Sequence, residues 1–258
     1  MPKRAFTLIA HRGFSSDAPE NTFDAFELAL DHGFKNIETD VQITSDGRLV
    51  LIHDDTLDRT TDGKGAVAEA SIAYVKSLDA GLWFDAPKEG VGKTGPAAYG
   101  DTFVPTLEDF LERFHGKVNL HLELKSHEPE LSEKVAAALN KFNWKRPRSA
   151  KSAGVSISSF DFEQLKRSRL TMPKLDHGFL LRKITEPDCE AAREIGCTGI
   201  YPNASTVETT DVELAKKHDL FVRAWGVRTE KDLKRAFDSG AAGTTVDWPL
   251  RAKQLLGI

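Results

Sequence analysis

Cysteine is scarce in this chain of 258 residues: Cys189 and Cys197 are the only two. A pair of thiols cannot build the disulfide frame of a small secreted scaffold, and their spacing suggests no metal knuckle, so both are expected reduced and at least half-buried. Long hydrophobic runs are missing as well. No window approaches the roughly 18 consecutive apolar residues of a membrane-spanning helix, which argues against a stable membrane anchor. Nor is positive charge in excess. The formal net charge is −4, which disfavours bulk affinity for nucleic acid and leaves only a local basic pocket open. Lys3 and Arg4 precede an apolar run, Ala5–Ala10. That run is about six residues, short of the 7–15 of a signal peptide's core, and His11-Arg12 interrupts it. It reads as a first strand, and the chain as a soluble, cytoplasmic protein.

What is present suits a globular fold, with 40% hydrophobic and 29% charged residues. Strand-like runs fall at Phe6–Ala10, Asn36–Ile43, Arg48–His53, Val118–Leu124, Gly154–Ser158, Leu175–Leu181, Thr198–Tyr201, Leu220–Trp225 and Gly243–Asp247. Helical patterns fit Thr22–His32, Thr106–Phe114, Pro129–Phe142, Asp161–Ser168, Glu186–Ile195, Thr210–His218 and Glu230–Ser239. Such alternation predicts parallel strands joined by crossover helices. The list holds one strand more than a closed eight-stranded barrel needs. Only Thr44-Ser45-Asp46-Gly47 separates the second and third strands. A parallel crossover takes a dozen residues or more, so this link must be a hairpin and Arg48–His53 an antiparallel arm. The expected fold is therefore a (β/α)8 TIM barrel with a β-hairpin arm. The glycine-rich stretch of about residues 55–105 is too long for a plain connection and reads as a small inserted subdomain with a short helix near Ser71–Leu78. The chain is taken as one domain, 1–258.

Charge on the strands carries the functional signal. In Ile37-Glu38-Thr39-Asp40-Val41 two carboxylates share one strand face. The run from Asn119 to Lys125 alternates so that His121, Glu123 and Lys125 face one way and Leu120, Leu122 and Leu124 the other. The active site of such a barrel gathers at the C-terminal strand ends, where His11-Arg12 and His53-Asp54 also fall. Glu38, Asp40 and Glu123 form an oxygen-rich set suited to a hard divalent cation, Mg²⁺ or Ca²⁺; a charge network with Arg12 and Lys125 is the other reading. Two histidines near neutral pKa can supply both a proton acceptor and a proton donor. With a cation and two basic side chains, that assortment suits cleavage of a phosphate ester.

At this point the chain resembles the glycerophosphodiester phosphodiesterase family. The resemblance runs nearly end to end, through the block from Ala10 to Gly65 and then LDAGLWF (78–84), VPTLEDFL (104–111), LHLELK (120–125), SSF (158–160), VRAWGV (222–227) and TTVDWP (244–249). It implies a TIM barrel with an insertion after the second histidine and a small-molecule glycerophosphodiester substrate. His11 and His53 match the acid–base pair, Glu38, Asp40 and Glu123 the ligands of one divalent cation, and Arg12 and Lys125 the phosphate contacts. Glu20, beside Asn21 and the helix-capping Thr22, matches a block next to the site. Trp225 matches an aromatic that packs on the glycerol, with Phe160 and Trp83 as lesser candidates of that kind. The last strand departs from the family's usual Asp-Gly-Ile-Ile-Thr-Asp-Xaa-Pro pattern, keeping Asp247 and Pro249. His121 and the segment Lys88–Gly100 look individual to this chain. Two alternatives remain: a phospholipase D-like enzyme acting on lysophospholipids, and a catalytically silent phosphodiester-binding protein. Self-association, the leaving alcohol and the assignment of acid and base among the histidines are left open.

Overall fold

The computed structural model describes residues 6–95, 98–147 and 153–258; residues 1–5 of the amino-terminal run and residues 96–97 of the insertion lie outside them. Eight parallel strands close into a barrel: β1 (Thr7–His11), β2 (Asn36–Ile43), β4 (Asn119–Leu124), β5 (Gly154–Ser159), β6 (Asp176–Leu180), β7 (Gly199–Tyr201), β8 (Phe221–Val227) and β9 (Gly243–Val246). Hydrogen bonding runs in that order round the ring, and β1 closes it by pairing with both β9 and β2. The remaining strand, β3 (Leu49–Leu51), lies antiparallel on β2, as the short link predicts. Only three of the six residues from Arg48 to His53 keep ladder geometry. Ile52 still donates its N–H to the Asp40 carbonyl (3.2 Å), which keeps His53 beside the end of β2.

The helices are α1 (Phe23–Asp31), α2 (Ile72–Val75), α3 (Leu107–Arg113), α4 (Leu131–Lys141), α5 (Phe162–Thr171), α6 (Glu186–Glu194), α7 (Thr209–Lys217), α8 (Glu230–Asp238) and α9 (Pro249–Leu256). Sequence reasoning does not predict α9. It is short, has no side-chain cap, and is delimited only by Pro249 at its start and Gly257, at φ 61°, after its end. Packing against β1 holds it. Elsewhere the starts are signalled locally. Thr22 accepts from the Ala25 N–H, and reciprocal caps join Thr106 to Asp109, Thr185 to Asp188 and Thr229 to Asp232. Each cap contributes on the order of 1 kcal/mol. They stand where chain leaving a strand enters a helix, so they stiffen the barrel rim that bears the site.

The outward strand residues form the core with the helices. Leu120, Leu122 and Leu124 are buried against α3 and α4 residues such as Phe110, Leu111 and Val135. The insertion has a small apolar cluster of its own, with Leu57, Val67, Val75 and Leu78 packed on Val50 and Ile52 of the arm. The barrel bore departs from the usual filling of branched aliphatics: Glu38, Asp40, His121, Glu123, Ser156 and Arg223 are all buried polar side chains. Among the described residues no helix is long and apolar enough to cross a membrane.

Outside the bore, one buried histidine sets an acid limit on stability. His177 of β6 is fully buried; its Nδ1–H donates to the Leu175 carbonyl (3.0 Å) and its Nε2 has no partner. Burial pushes its pKa down to about 4. Between that value and about 6.5 the unfolded chain takes up the proton and the folded chain does not, so stability falls as pH drops. Chemical denaturation at pH 7 and pH 4.5 should show His177→Leu losing about 2 kcal/mol less stability than the wild type. Equal acid losses in the two proteins would refute this.

Candidate active site

Strand register brings the sequence-predicted carboxylates together. Glu38 lies opposite His121 and Asp40 opposite Glu123 in the parallel β2–β4 pairing, and His11 lies opposite Glu38 across β1–β2. Period-two alternation then puts Glu38, Asp40 and Glu123 on the bore side. Each offers an oxygen within 4.8 Å of the others. Such crowding resists ionisation. Burial first, and then the Asp40 charge, push Glu38 up to about 8 and Glu123 up to about 6. Asp40 stays below the usual carboxylate range: burial opposes its charge, but the Arg12 guanidinium beside it (3.2 Å) prevails. Its Oδ2 also accepts from the Asn21 amide at 3.0 Å, whereas its Oδ1 is buried without a partner.

Arg12 is held under strain. Its φ of 56° lies in the left-handed region, costly for a residue with a Cβ. Its own N–H donates to Glu38 (3.0 Å), its carbonyl accepts from the Asn21 N–H (3.0 Å), and its Nη1 donates to Glu20 (2.7 Å). Glu20 is shared: Arg59, from the insertion, donates to both its oxygens (2.9 and 2.8 Å). With both oxygens engaged, Glu20 holds the two arginines in place.

Each histidine has a carboxylate on Nδ1. His11 meets Asp247 at 2.6 Å, and His53 meets Asp54 at 2.7 Å. Arg59 in turn donates to both oxygens of Asp54 (2.6 and 2.9 Å). With Nδ1–H donating in both rings, Nε2 is the working nitrogen, and the two Nε2 atoms meet opposite surroundings. That of His11 faces the Glu38 carboxylate at 3.8 Å. That of His53 stands 3.3 Å from the Lys125 ammonium, which also pairs with Glu123 at 3.1 Å. Burial and Arg12 work against charge on His11, but Glu38 and Asp247 outweigh them and its pKa is raised. Burial lowers His53, and Arg12 and Lys125 reinforce this against the pull of Asp40.

These groups surround one cavity of about 810 Å³, lined by His11, Arg12, Glu20, Glu38, His53 and Glu123 on its inner side. Asp40 and Lys125 touch these residues from behind. Trp225 lines the outer part, anchored by its Nε1–H on the Leu181 carbonyl (2.9 Å) and met edge-on by Phe160. Trp83 stands across the same mouth beneath Arg59. Sequence reasoning missed the tasks of Asp54, Arg59 and Asp247. Asp54 adjoins His53 and Asp247 survives in the last strand block, so both were visible as residues; nothing marked Arg59.

The carboxylates fit a divalent cation. The partnerless Asp40 oxygen and the all-oxygen donor set of three crowded carboxylates are what a hard dication would complete.

Fold and site define a class: a (β/α)8-barrel enzyme with a polar, acid-rich pocket at the C-terminal mouth of the barrel. The sequence profile of the glycerophosphoryl diester phosphodiesterase family matches residues 11–251, and the chain belongs to that family. It is 34% identical over 254 residues to the glycerophosphodiester phosphodiesterase of Bacillus subtilis strain 168, covering 96% of this chain and 85% of that protein. It is also 34% identical over 247 residues to the glycerophosphodiester phosphodiesterase of Caldanaerobacter subterraneus subsp. tengcongensis, covering 94% of each. Among solved structures, an Oleispira antarctica phosphodiesterase in complex with the product sn-glycerol-3-phosphate superposes with a TM-score of 0.83 at 29% identity, over 98% of this chain and 97% of that one.

Proposed function

We propose that this chain hydrolyses glycerophosphodiesters to sn-glycerol 3-phosphate and a free alcohol, with Glu38, Asp40 and Glu123 holding one divalent cation, Mg²⁺ or Ca²⁺. Family membership supports the reaction class. The observation that carries the mechanism is the opposite setting of the two histidines round one carboxylate triad. His53 Nε2 accepts from the Lys125 ammonium (3.3 Å), so it carries a lone pair and the ring is neutral near pH 7. It is the base, taking the proton of the attacking hydroxyl. His11 Nε2 faces a carboxylate and keeps its proton. It is the acid, delivering that proton to the leaving alkoxide as the P–O bond breaks. Asp54 and Asp247 fix both tautomers and balance the imidazolium forms.

Arg12 and Lys125 offset charge on the non-bridging phosphate oxygens, and Glu20 contributes by aiming Arg12. Trp225 offers an apolar face to the glycerol carbons, with Phe160 supporting it. When bound, the cation supplies Lewis-acid stabilisation of the developing phosphoryl charge. Residues 1–258 act as one catalytic domain, with the insertion of about 55–105 lending Arg59 to the histidine network. The partner is a small molecule. The apolar residues Leu82-Trp83-Phe84 of the insertion are too few to seat a lipid surface, which disfavours lysophospholipid cleavage.

The test is release of sn-glycerol 3-phosphate from glycerophosphocholine, glycerophosphoethanolamine and glycerophosphoglycerol, followed by a coupled dehydrogenase assay with Mg²⁺, Ca²⁺ or chelator. Metal-supported release from at least one diester is expected. No release from any of them under any condition would overturn the reading.

A further inference from the structure

Two cationic residues that line the cavity, Lys88 and Arg228, are exposed, and neither has a carboxylate partner among the described residues. This sets them apart from Arg12, Arg59 and Lys125, each of which is held by a carboxylate. Both belong to the His11 side of the cavity. Lys88 donates its N–H to the Ser16 carbonyl (2.9 Å), and Ser16 donates its own to the carbonyl of Asp247 (3.0 Å), the residue that holds His11. Arg228 directly follows β8, whose last residue, Val227, lies opposite Val246 in β9. Asp247 comes next in the chain. The two cations therefore flank the strand end that carries the partner of the proposed acid.

The segment bearing Lys88 is fastened to the barrel. Asp17 is fully buried, and its carboxylate accepts from the Glu89 N–H (2.8 Å) and the Val91 N–H (3.0 Å). Gly92 packs so closely on Asp17 that a Cβ there would stand 1.8 Å from its carbonyl oxygen. The Glu89 carboxylate accepts from the Arg251 N–H in the first turn of α9. The carboxylates nearby are already engaged: Asp247 by His11 and Ser15, Glu89 by α9, Asp232 by the start of α8, and Glu230 by Arg251. Asp85 lines the cavity without a partner, so two unpaired positive charges there meet one unpaired negative charge. A departing alcohol that takes its proton from His11 lies on this side of the cavity, beside the surplus cation. One exposed ion pair is worth little. Two cations converging on one anionic group add their attractions, and salt screens both.

We propose that Lys88 and Arg228 form a leaving-alcohol subsite that favours alcohols carrying an anionic substituent, such as a phosphate monoester, over neutral ones. The inference rests on the phosphodiesterase reading with His11 as the acid, and it concerns the half of the diester that departs.

The probes are glycerophosphoinositol and glycerophosphoinositol 4-phosphate, whose leaving alcohols differ by one phosphate. Each is assayed by release of sn-glycerol 3-phosphate with the wild type and with a double variant, Lys88→Gln with Arg228→Gln. The wild type should prefer the phosphorylated diester at least about fivefold in kcat/KM, mainly through KM, which two exposed ion pairs of ordinary strength can supply. The double variant should lose at least about threefold on the phosphorylated diester and clearly less on the neutral one. Raising salt from about 20 mM to about 500 mM should shrink the wild-type preference and leave that of the double variant nearly constant, because screening acts on exposed charges. Equal losses on both diesters would mean that the residues only support the mouth, and would overturn the proposal. So would a preference that the double variant retains, or a wild type that favours the neutral alcohol. If the double variant fails to fold, the salt response of the wild type on the two diesters decides alone. A wild type that releases no sn-glycerol 3-phosphate from these diesters or from glycerophosphocholine sinks the functional reading and this one with it. An active wild type without the preference sinks only this one.

Discussion

His53→Ala and His11→Ala should each lower turnover of glycerophosphocholine at least about 10²-fold and up to about 10⁴-fold, the range for loss of a positioned general acid or base. Their pH profiles should then differ in a way that names the roles. A base works only when deprotonated, so activity rises through the His53 pKa, which lies below 6.5. An acid works only when protonated, so activity falls through the His11 pKa, which lies above 6.5. The wild type should show a bell with its top between the two. Residual activity of His53→Ala should lose the acid limb, and that of His11→Ala the alkaline limb. A leaving group that needs no protonation, such as p-nitrophenolate, should restore much of the rate to His11→Ala and little to His53→Ala. Wild-type rates in either variant would end the acid–base assignment, and rescue of the wrong variant would invert it.

Removing divalent metal should silence the enzyme, and Asp40→Asn should reproduce that state in the presence of metal. Lewis-acid stabilisation is worth several kcal/mol, so at least about a thousandfold loss is expected, reversed in the wild type by Mg²⁺ or Ca²⁺. The substitution keeps the shape of Asp40 while removing its charge. It therefore also frees Arg12, whose Nε lies 3.2 Å from that carboxylate. A second readout separates the two effects. Binding at a hundred times Kd stabilises a folded protein by about 2.7 kcal/mol, so the wild type should melt higher with metal. The gain should exceed that of an ordinary site, because the ion also relieves repulsion among three buried carboxylates. Asp40→Asn should melt at the same temperature with and without the ion. Full activity in chelator together with no metal-dependent melting shift would refute the assignment of Glu38, Asp40 and Glu123.

The barrel was legible because strands buried on one face keep a period of two. The spacing of Glu38 and Asp40, and of His121 and Glu123, put each pair on one strand face, and the strand count placed those faces in a barrel. The arm was legible from its four-residue link, and that placed His53. Other parts were hidden by the same regularity. Arg223 alternates with apolar residues just as a solvated strand face would, and Tyr201 looks like ordinary core. Only closure of the sheet turns that face into the floor of a cavity, and closure depends on pairing β1 with β9, more than 230 residues apart in sequence. Arg59 was invisible for another reason. Its bonds to Glu20 and Asp54 depend on loop geometry, which no periodicity encodes.

The proposed acid, His11, and the proposed base, His53, sit on parts of the chain with different freedom to vary. His11 ends a barrel strand locked between two neighbours, whereas His53 ends an arm outside the ring and opens directly into the insertion. Exchanging the insertion between relatives would leave Glu38, Asp40, Glu123 and His11 on the barrel strands undisturbed while changing the wall around His53. Such a barrel can therefore vary the surroundings of the attacking group by swapping a module rather than rebuilding a core. The graft point has to fall after Arg59, since a shorter graft that loses this residue would leave Asp54 and Glu20 without their shared cation and let the base drift.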